Sequence, residues 1–150
     1  MDMFILCRVI AFRSGLFCSG RECLVLNPGG HFKMHVDPLS DDHNPFGDRL
    51  ATFLMFLNDV PLGGRTVFPV INVTLKPKKG SAVFFWDLQR NGGDDSLTFH
   101  EACPVVIGEK WISTKWFHEL GNDKVLPCSV EAEDTGLDDL KSKLLEEIEN

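Results

Sequence analysis

The sequence predicts a mainly β fold, a sandwich or jelly roll, with a short C-terminal helix. Three observations carry that expectation. Seven short runs, 24–26, 31–36, 50–57, 66–70, 82–86, 97–100 and 111–117, are rich in β-branched, aromatic and aliphatic residues, the side chains that suit a pleated, half-buried surface. Clusters of turn chemistry separate many of them: Asn27-Pro28-Gly29-Gly30, the stretch 58–64, Pro77-Lys78-Lys79-Gly80 and Asn91-Gly92-Gly93-Asp94. A helical recurrence of apolar residues appears near the end, where Leu137, Leu140, Leu144, Leu145 and Ile148 follow one another at spacings of 3, 4, 1 and 3. That stretch reads as a packing helix or frayed tail, with docking to a partner as the sharper alternative.

A length of 150 residues with 43% hydrophobic content supports one domain with a single buried core. The expected division is a leader, poorly ordered segment or edge strand over 1–20, the folded domain over 21–128, and an acidic tail with the amphipathic helix over 129–150. Most of the net charge of −7 belongs to that tail, since eight of its side chains are acidic against Lys141 and Lys143. The remainder is close to neutral, which gives no electrostatic reason to expect nucleic acid as a partner, because such binding needs a basic face. No run approaches the roughly 18 apolar residues of a membrane span, so no membrane partner is expected, and 1–11 lacks the basic start and long apolar stretch of a secretory signal. Five cysteines fall in no zinc-ligand spacing. Asn72-Val73-Thr74 would accept a glycan if the chain were secreted.

The chemistry begins with His35-Val36-Asp37 at the end of an apolar run. Residues two apart on a strand project to one face, so an imidazole and a carboxylate there can meet one cation. A second imidazole, His100, comes from a different predicted strand. Two histidines and one carboxylate on one face of an octahedron leave three positions open, the facial triad used by non-haem Fe(II) oxygenases, whereas a structural zinc site is closed. Lys110, ten residues beyond His100, opens the 111–117 run. If that strand is antiparallel to the one bearing His100, its ammonium can enter the mouth of the barrel and pair with the far carboxylate of a dicarboxylate that chelates iron at its other end.

With those residues in view, the segment from about Val25 to Cys128 strongly resembles the catalytic domain of prolyl 4-hydroxylases, specifically the collagen-type alpha subunit. The resemblance rests on Asn27-Pro28-Gly29-Gly30-His31-Phe32 leading into His35-Val36-Asp37, and on the run 48–60 with Asp48-Arg49-Leu50-Ala51-Thr52-Phe53 at its head. It continues through Gly63-Gly64-Arg65-Thr66-Val67-Phe68-Pro69, Lys76-Pro77-Lys78-Lys79-Gly80-Ser81-Ala82, His100-Glu101-Ala102-Cys103-Pro104 and Gly108-Glu109-Lys110-Trp111 to Trp116-Phe117-His118-Glu119. It covers over two thirds of the chain.

This resemblance implies a double-stranded β-helix (jelly roll, cupin-like) in which His35, Asp37 and His100 hold Fe(II). Lys110 would pair with the distal carboxylate of 2-oxoglutarate, and His118 would lie near that cosubstrate. It further implies a dioxygenase that uses O2 and 2-oxoglutarate to hydroxylate peptidyl proline, releasing succinate and CO2, with ascorbate rescuing oxidised iron. The implied partners are a proline-rich or collagen-like peptide and protein disulfide isomerase, and the implied compartment is the endoplasmic reticulum lumen, with a disulfide between Cys103 and Cys128. Arg65, Phe46 and Trp86 are candidates for a peptide groove, with core packing the commoner fate of Trp86. The sequence departs from the family at Leu26, Phe32 and Phe56, near which the family has tyrosines, and a weaker hold on 2-oxoglutarate is expected. Two alternatives stand beside the hydroxylase: a truncated, non-catalytic β-helix that binds peptide, and an oxygenase with a different substrate.

Overall fold

The computed structural model describes residues 18–39, 44–122, 124, 127 and 129. Among the described residues ten strands run in chain order: β1 (Cys18–Leu26), β2 (Phe32–His35), β3 (Arg49–Phe56), β4 (Leu62–Gly63), β5 (Thr66–Phe68), β6 (Val73–Leu75), β7 (Ala82–Trp86), β8 (His100–Ala102), β9 (Val105–Ile107) and β10 (Lys110–His118). They form a jelly roll of two facing four-stranded sheets, ordered β1-β10-β3-β7 and β2-β8-β5-β6, with β4 and β9 as a separate pair. All strand pairings are antiparallel.

Alternation along β3 shows how the sequence builds this. Leu50, Thr52, Leu54 and Phe56 point to the inside, the period-2 pattern of a strand with one face on a core. In register with them stand Trp116, Thr114 and Ile112 of β10 on one side and Phe85 and Val83 of β7 on the other. Leu54, Phe56, Val83, Phe85 and Ile112 meet Phe68 of β5 to form the main buried cluster, with Val73 and Leu75 of β6 packed against it. Burial of this kind stabilises by about 25 cal/mol per Å² of apolar surface. Gly63 joins β4 to β5 at φ 81°, and a Cβ there would lie 2.4 Å from the carbonyl oxygen of Pro104. Only glycine fits that turn.

The expected run at 97–100 divides differently. Ser96–Thr98 is a 3₁₀ turn and β8 starts at His100. The reason is local: Asp95 accepts a hydrogen bond from the Leu97 amide through its side chain, and its carbonyl accepts from the Thr98 hydroxyl and amide. Such side-chain bonds offer the backbone an alternative to a ladder. Three short strands, β4, β6 and β9, lie in stretches read as turn or left unassigned. Lys110 is not on a strand paired with that of His100, because β10 belongs to one sheet and β8 to the other. β1 begins at Cys18, at the edge of its sheet, so it crosses the expected boundary at 20. The rest of the 1–20 segment and the C-terminal helix lie outside the described residues.

Candidate functional site

Register places the two candidate imidazoles. His35, the last residue of β2, and His100, the first of β8, are direct cross-strand partners, and their rings lie 4.2 Å apart. Asp37 follows just past the end of β2 and turns its carboxylate between them. Its Oδ1 is 3.4 Å from Nε2 of His35 and 3.6 Å from Nε2 of His100. One donor atom from each of the three residues lies within 4.8 Å of the others.

Each donor is aimed by a neighbour. The Nδ1 of His35 lies 2.7 Å from the carbonyl oxygen of Lys33, and the Nδ1 of His100 lies 2.9 Å from that of Thr98. A carbonyl can only accept, so both rings carry a hydrogen on Nδ1 and turn Nε2 toward the shared space. Phe68 stacks on His100 and Phe85 meets its edge, with ring centroids 5.2 and 5.1 Å away. The other oxygen of Asp37, Oδ2, is occupied by the Thr52 hydroxyl at 2.6 Å and the Trp116 indole N–H at 3.2 Å, which leaves Oδ1 as a single-oxygen donor. Arg49 donates to the Asp37 carbonyl and sets its guanidinium carbon over Trp116, 3.5 Å from the ring centroid. These outer partners, Thr52, Trp116 and Arg49, were not read from the sequence. Their signal is weak, because each becomes a neighbour only through the β3–β10 register.

Electrostatics follow from this packing. Burial opposes the charge on Asp37, yet the hydrogen bond from His35, the adjacent His100, Thr52 and Trp116 outweigh it and hold the carboxyl at about 2. Burial depresses His100 below its ordinary range, with Asp37 pulling the other way. His35 is also penalised by burial, but Asp37 and the Lys33 carbonyl raise it.

Beside these residues opens a cavity of about 200 Å³ between the two sheets, lined by Leu24 and Leu26 of β1, by Ile112, Thr114 and Trp116 of β10, and by Thr66. Lys110 stands in its wall, 1% exposed, and donates from Nζ to the Thr66 hydroxyl at 2.9 Å. Burial lowers its pKa to about 8, with Cys103 acting in the opposite direction. A buried ammonium facing a cavity with one neutral acceptor is incompletely compensated, and an entering anion would complete it.

The remaining candidates fall elsewhere. The strand register shifts between Phe117 and His118, so His118 leaves the inward row of β10. It packs against Phe46 and the Gly47 carbonyl and is absent from the cavity lining. Trp86 packs half-buried with Leu50 and Leu88, as the core reading expected. Arg65 is exposed and uses its carbonyl to bind the Cys103 amide. Cys103 carries a free thiol, and Cys128 lies outside the described residues. Leu26 and Phe32 line the cavity, while Phe56 lies beneath the Lys110 ammonium with its ring centroid 5.7 Å away.

Two histidines and one carboxylate, with open space beside them in a jelly roll, have the donor composition of a facial triad. Comparison with known proteins agrees. Residues 22–118 match the model of the 2OG-Fe(II) oxygenase superfamily. The chain is 48% identical over 104 residues to chicken (Gallus gallus) prolyl 4-hydroxylase subunit alpha-2, covering 67% of this chain and 20% of that protein. It is 43% identical over 108 residues to human prolyl 4-hydroxylase subunit alpha-1, covering 68% of this chain and again 20% of the relative. Among solved structures, the viral collagen prolyl hydroxylase of Paramecium Bursaria Chlorella virus-1, in complex with 2OG, superimposes with a TM-score of 0.63 at 32% identity, over 68% of this chain and 59% of the viral one. The chain therefore belongs to the 2OG-Fe(II) oxygenase superfamily, as a catalytic domain of the prolyl 4-hydroxylase family. It spans a fifth of the length of the alpha subunits it matches.

Proposed function

We propose that this chain is the catalytic part of an Fe(II)- and 2-oxoglutarate-dependent dioxygenase that hydroxylates proline in proline-rich, collagen-like peptides. The observation that carries the reading is the convergence of His35, Asp37 and His100 beside a cavity that also holds the buried, under-compensated Lys110. The donor set fits iron: two imidazoles, each with Nδ1 held by a carbonyl and Nε2 turned inward, and one carboxylate form an open mixed N/O face. When bound, iron supplies the oxidation, in which O2 and 2-oxoglutarate become succinate and CO2 and one oxygen atom goes to proline; ascorbate is the proposed reductant that keeps the metal ferrous.

The protein's own part is position and exclusion. Thr52 and Trp116 hold Oδ2 of Asp37 so that Oδ1 faces the two Nε2 atoms. Lys110 fixes the far carboxylate of the dicarboxylate, and the apolar residues Leu26, Leu54 and Ile112 keep water from the chain between its two ends. Arg65, exposed next to the cavity residue Thr66, is proposed to contact the peptide; an Arg65→Ala variant should raise the peptide Michaelis constant. We further propose residence in the endoplasmic reticulum lumen with protein disulfide isomerase as partner. Asn72, exposed at the tip of the turn between β5 and β6, offers a readout: chain that enters that lumen is expected to carry a glycan there.

The deciding experiment is succinate formation followed by NMR, with Fe(II), ascorbate and 2-oxoglutarate, with and without a (Pro-Pro-Gly) repeat peptide. Peptide-stimulated turnover that disappears in His100→Ala is expected. Absence of turnover in protein shown to be folded would favour the non-catalytic, peptide-binding reading.

A further inference from the structure

Behind Asp37 lies a second buried acid that the reaction does not use. Asp87 follows the last residue of β7 and is fully buried, as is Thr52. The Thr52 oxygen lies 2.6 Å from Oδ2 of Asp37 and 2.7 Å from Oδ2 of Asp87. A hydroxyl has one hydrogen and can donate to one of them only. If both acids were ionised, one of these two short contacts would set lone pair against lone pair in a buried site. One of the two carboxyls therefore holds a proton and donates it to Thr52. Asp37 is the wrong candidate, because its Oδ2 already accepts from the Trp116 N–H and its Oδ1 faces the two histidines. Asp87 is the right one: its Oδ1 is buried with no hydrogen-bond partner, which would be costly for a delocalised carboxylate and much less so for the carbonyl oxygen of a neutral acid.

We infer that Asp87 is a neutral carboxylic acid that donates to Thr52 and so directs the single Thr52 hydrogen onto Asp37, making Asp87 and Thr52 a two-residue positioning relay behind the proposed metal ligand. Asp87 touches Thr52, not Asp37. Its charged surroundings point the same way, since burial and the neighbouring Asp37 and Asp48 raise its pKa well above the ordinary carboxylate range while Thr52 and Arg49 oppose them. The relay fixes which lone pairs of Asp37 are free. With Thr52 donating to Oδ2, the carboxylate cannot rotate to bring that oxygen forward, and a negative charge on Asp87 would draw the hydroxyl hydrogen away. The role in metal binding rests on the function proposed above; the protonation state does not.

Infrared difference spectra of the metal-free protein at pH 7, wild type minus Asp87→Asn, test the proton directly. A carboxylic-acid C=O band present in the wild type and lost in the variant is expected; loss of a carboxylate band alone would overturn the inference. Should Asp87→Asn not fold, Thr52→Val removes the acceptor, and the acid band must then move to higher frequency; no acid band to move, or no movement, would equally overturn it. Co(II) titration gives the second readout. Asp87→Asn, which keeps a donor to Thr52 without any charge, should bind Co(II) within about threefold of wild type, whereas Thr52→Val should bind about tenfold more weakly, as loss of an outer partner typically does. An Asn variant as impaired as the Val variant would mean that the site uses the charge of Asp87, and the relay would be wrong.

Discussion

At the scale of single residues, Lys110 is the most informative. It is buried, its amine is held by one hydroxyl, and burial has brought its pKa down to about 8. In the role proposed for it, Lys110 holds 2-oxoglutarate as the ammonium, so affinity should be nearly flat below pH 7 and weaken as pH rises through 8. Isothermal titration is expected to give a dissociation constant about tenfold weaker at pH 9 than at pH 7, as proton linkage through one group dictates. Lys110→Met should lose most of the affinity, on the order of 2–5 kcal/mol for an unpaired buried charge on the ligand. The sign for stability is opposite. A lysine with its pKa lowered on folding destabilises the ligand-free fold at pH values below that pKa, and this cost is relieved between about 8 and 10.5. The methionine variant should therefore melt higher than the wild type without ligand at neutral pH, measured by scanning calorimetry. Phe56, beneath the same ammonium, tests the missing phenol: Phe56→Tyr should tighten 2-oxoglutarate by roughly 0.5–1.5 kcal/mol, the worth of one hydrogen bond.

At the scale of elements, the 3₁₀ turn before β8 deserves a direct test, because it delivers His100 to its place. Asp95 caps it, and the Asp95 amide in turn donates to the Asp87 carbonyl. Asp95→Ala should cost about 1 kcal/mol in denaturant unfolding, the usual value of a lost cap, and should weaken Co(II) binding together with it. This turn also marks where the sequence stopped being legible. The long strands β3, β7 and β10 and the grouping of His35, Asp37 and His100 could be read from alternation, turn chemistry and family motifs, because a half-buried strand imposes its period on its own residues. The Ser96–Thr98 turn could not, since Leu97 and Phe99 look like strand residues and the bonds of Asp95 decide otherwise. The two-residue and three-residue strands β4, β6 and β9 are too short to show a period. Thr52 was invisible as a site residue for another reason: only the three-dimensional approach of Asp87 and Asp37 gives its hydroxyl work. His118 follows the motif in sequence, yet a one-residue register shift takes it out of the inward row.

For the molecule as a whole, metal and fold should be coupled. The three proposed ligands come from one end of β2, the loop after it and the start of β8, so a bound ion would tie together segments that the backbone joins through few ladder bonds. At a Co(II) concentration 100 times the dissociation constant, linkage gives about 2.7 kcal/mol of stabilisation, or roughly 5–10 °C in Tm for a chain of this size. Differential scanning fluorimetry should show this shift in the wild type and none in His100→Ala.

His35 and His100 face each other as a cross-strand pair, and this has a consequence for how the centre can vary. The two imidazoles start from the spacing of neighbouring strands, about 4.7–4.9 Å in a sheet, and the carbonyls of Lys33 and Thr98 then aim each ring. Asp37 has no such constraint, for it sits beyond the last ladder bond of β2. The site thus combines two imidazoles anchored by a strand pairing with one carboxylate held only by side chains. Drift that alters metal preference or reactivity while keeping the fold should accumulate at position 37 and at the groups that grip it, and leave the imidazole pair untouched.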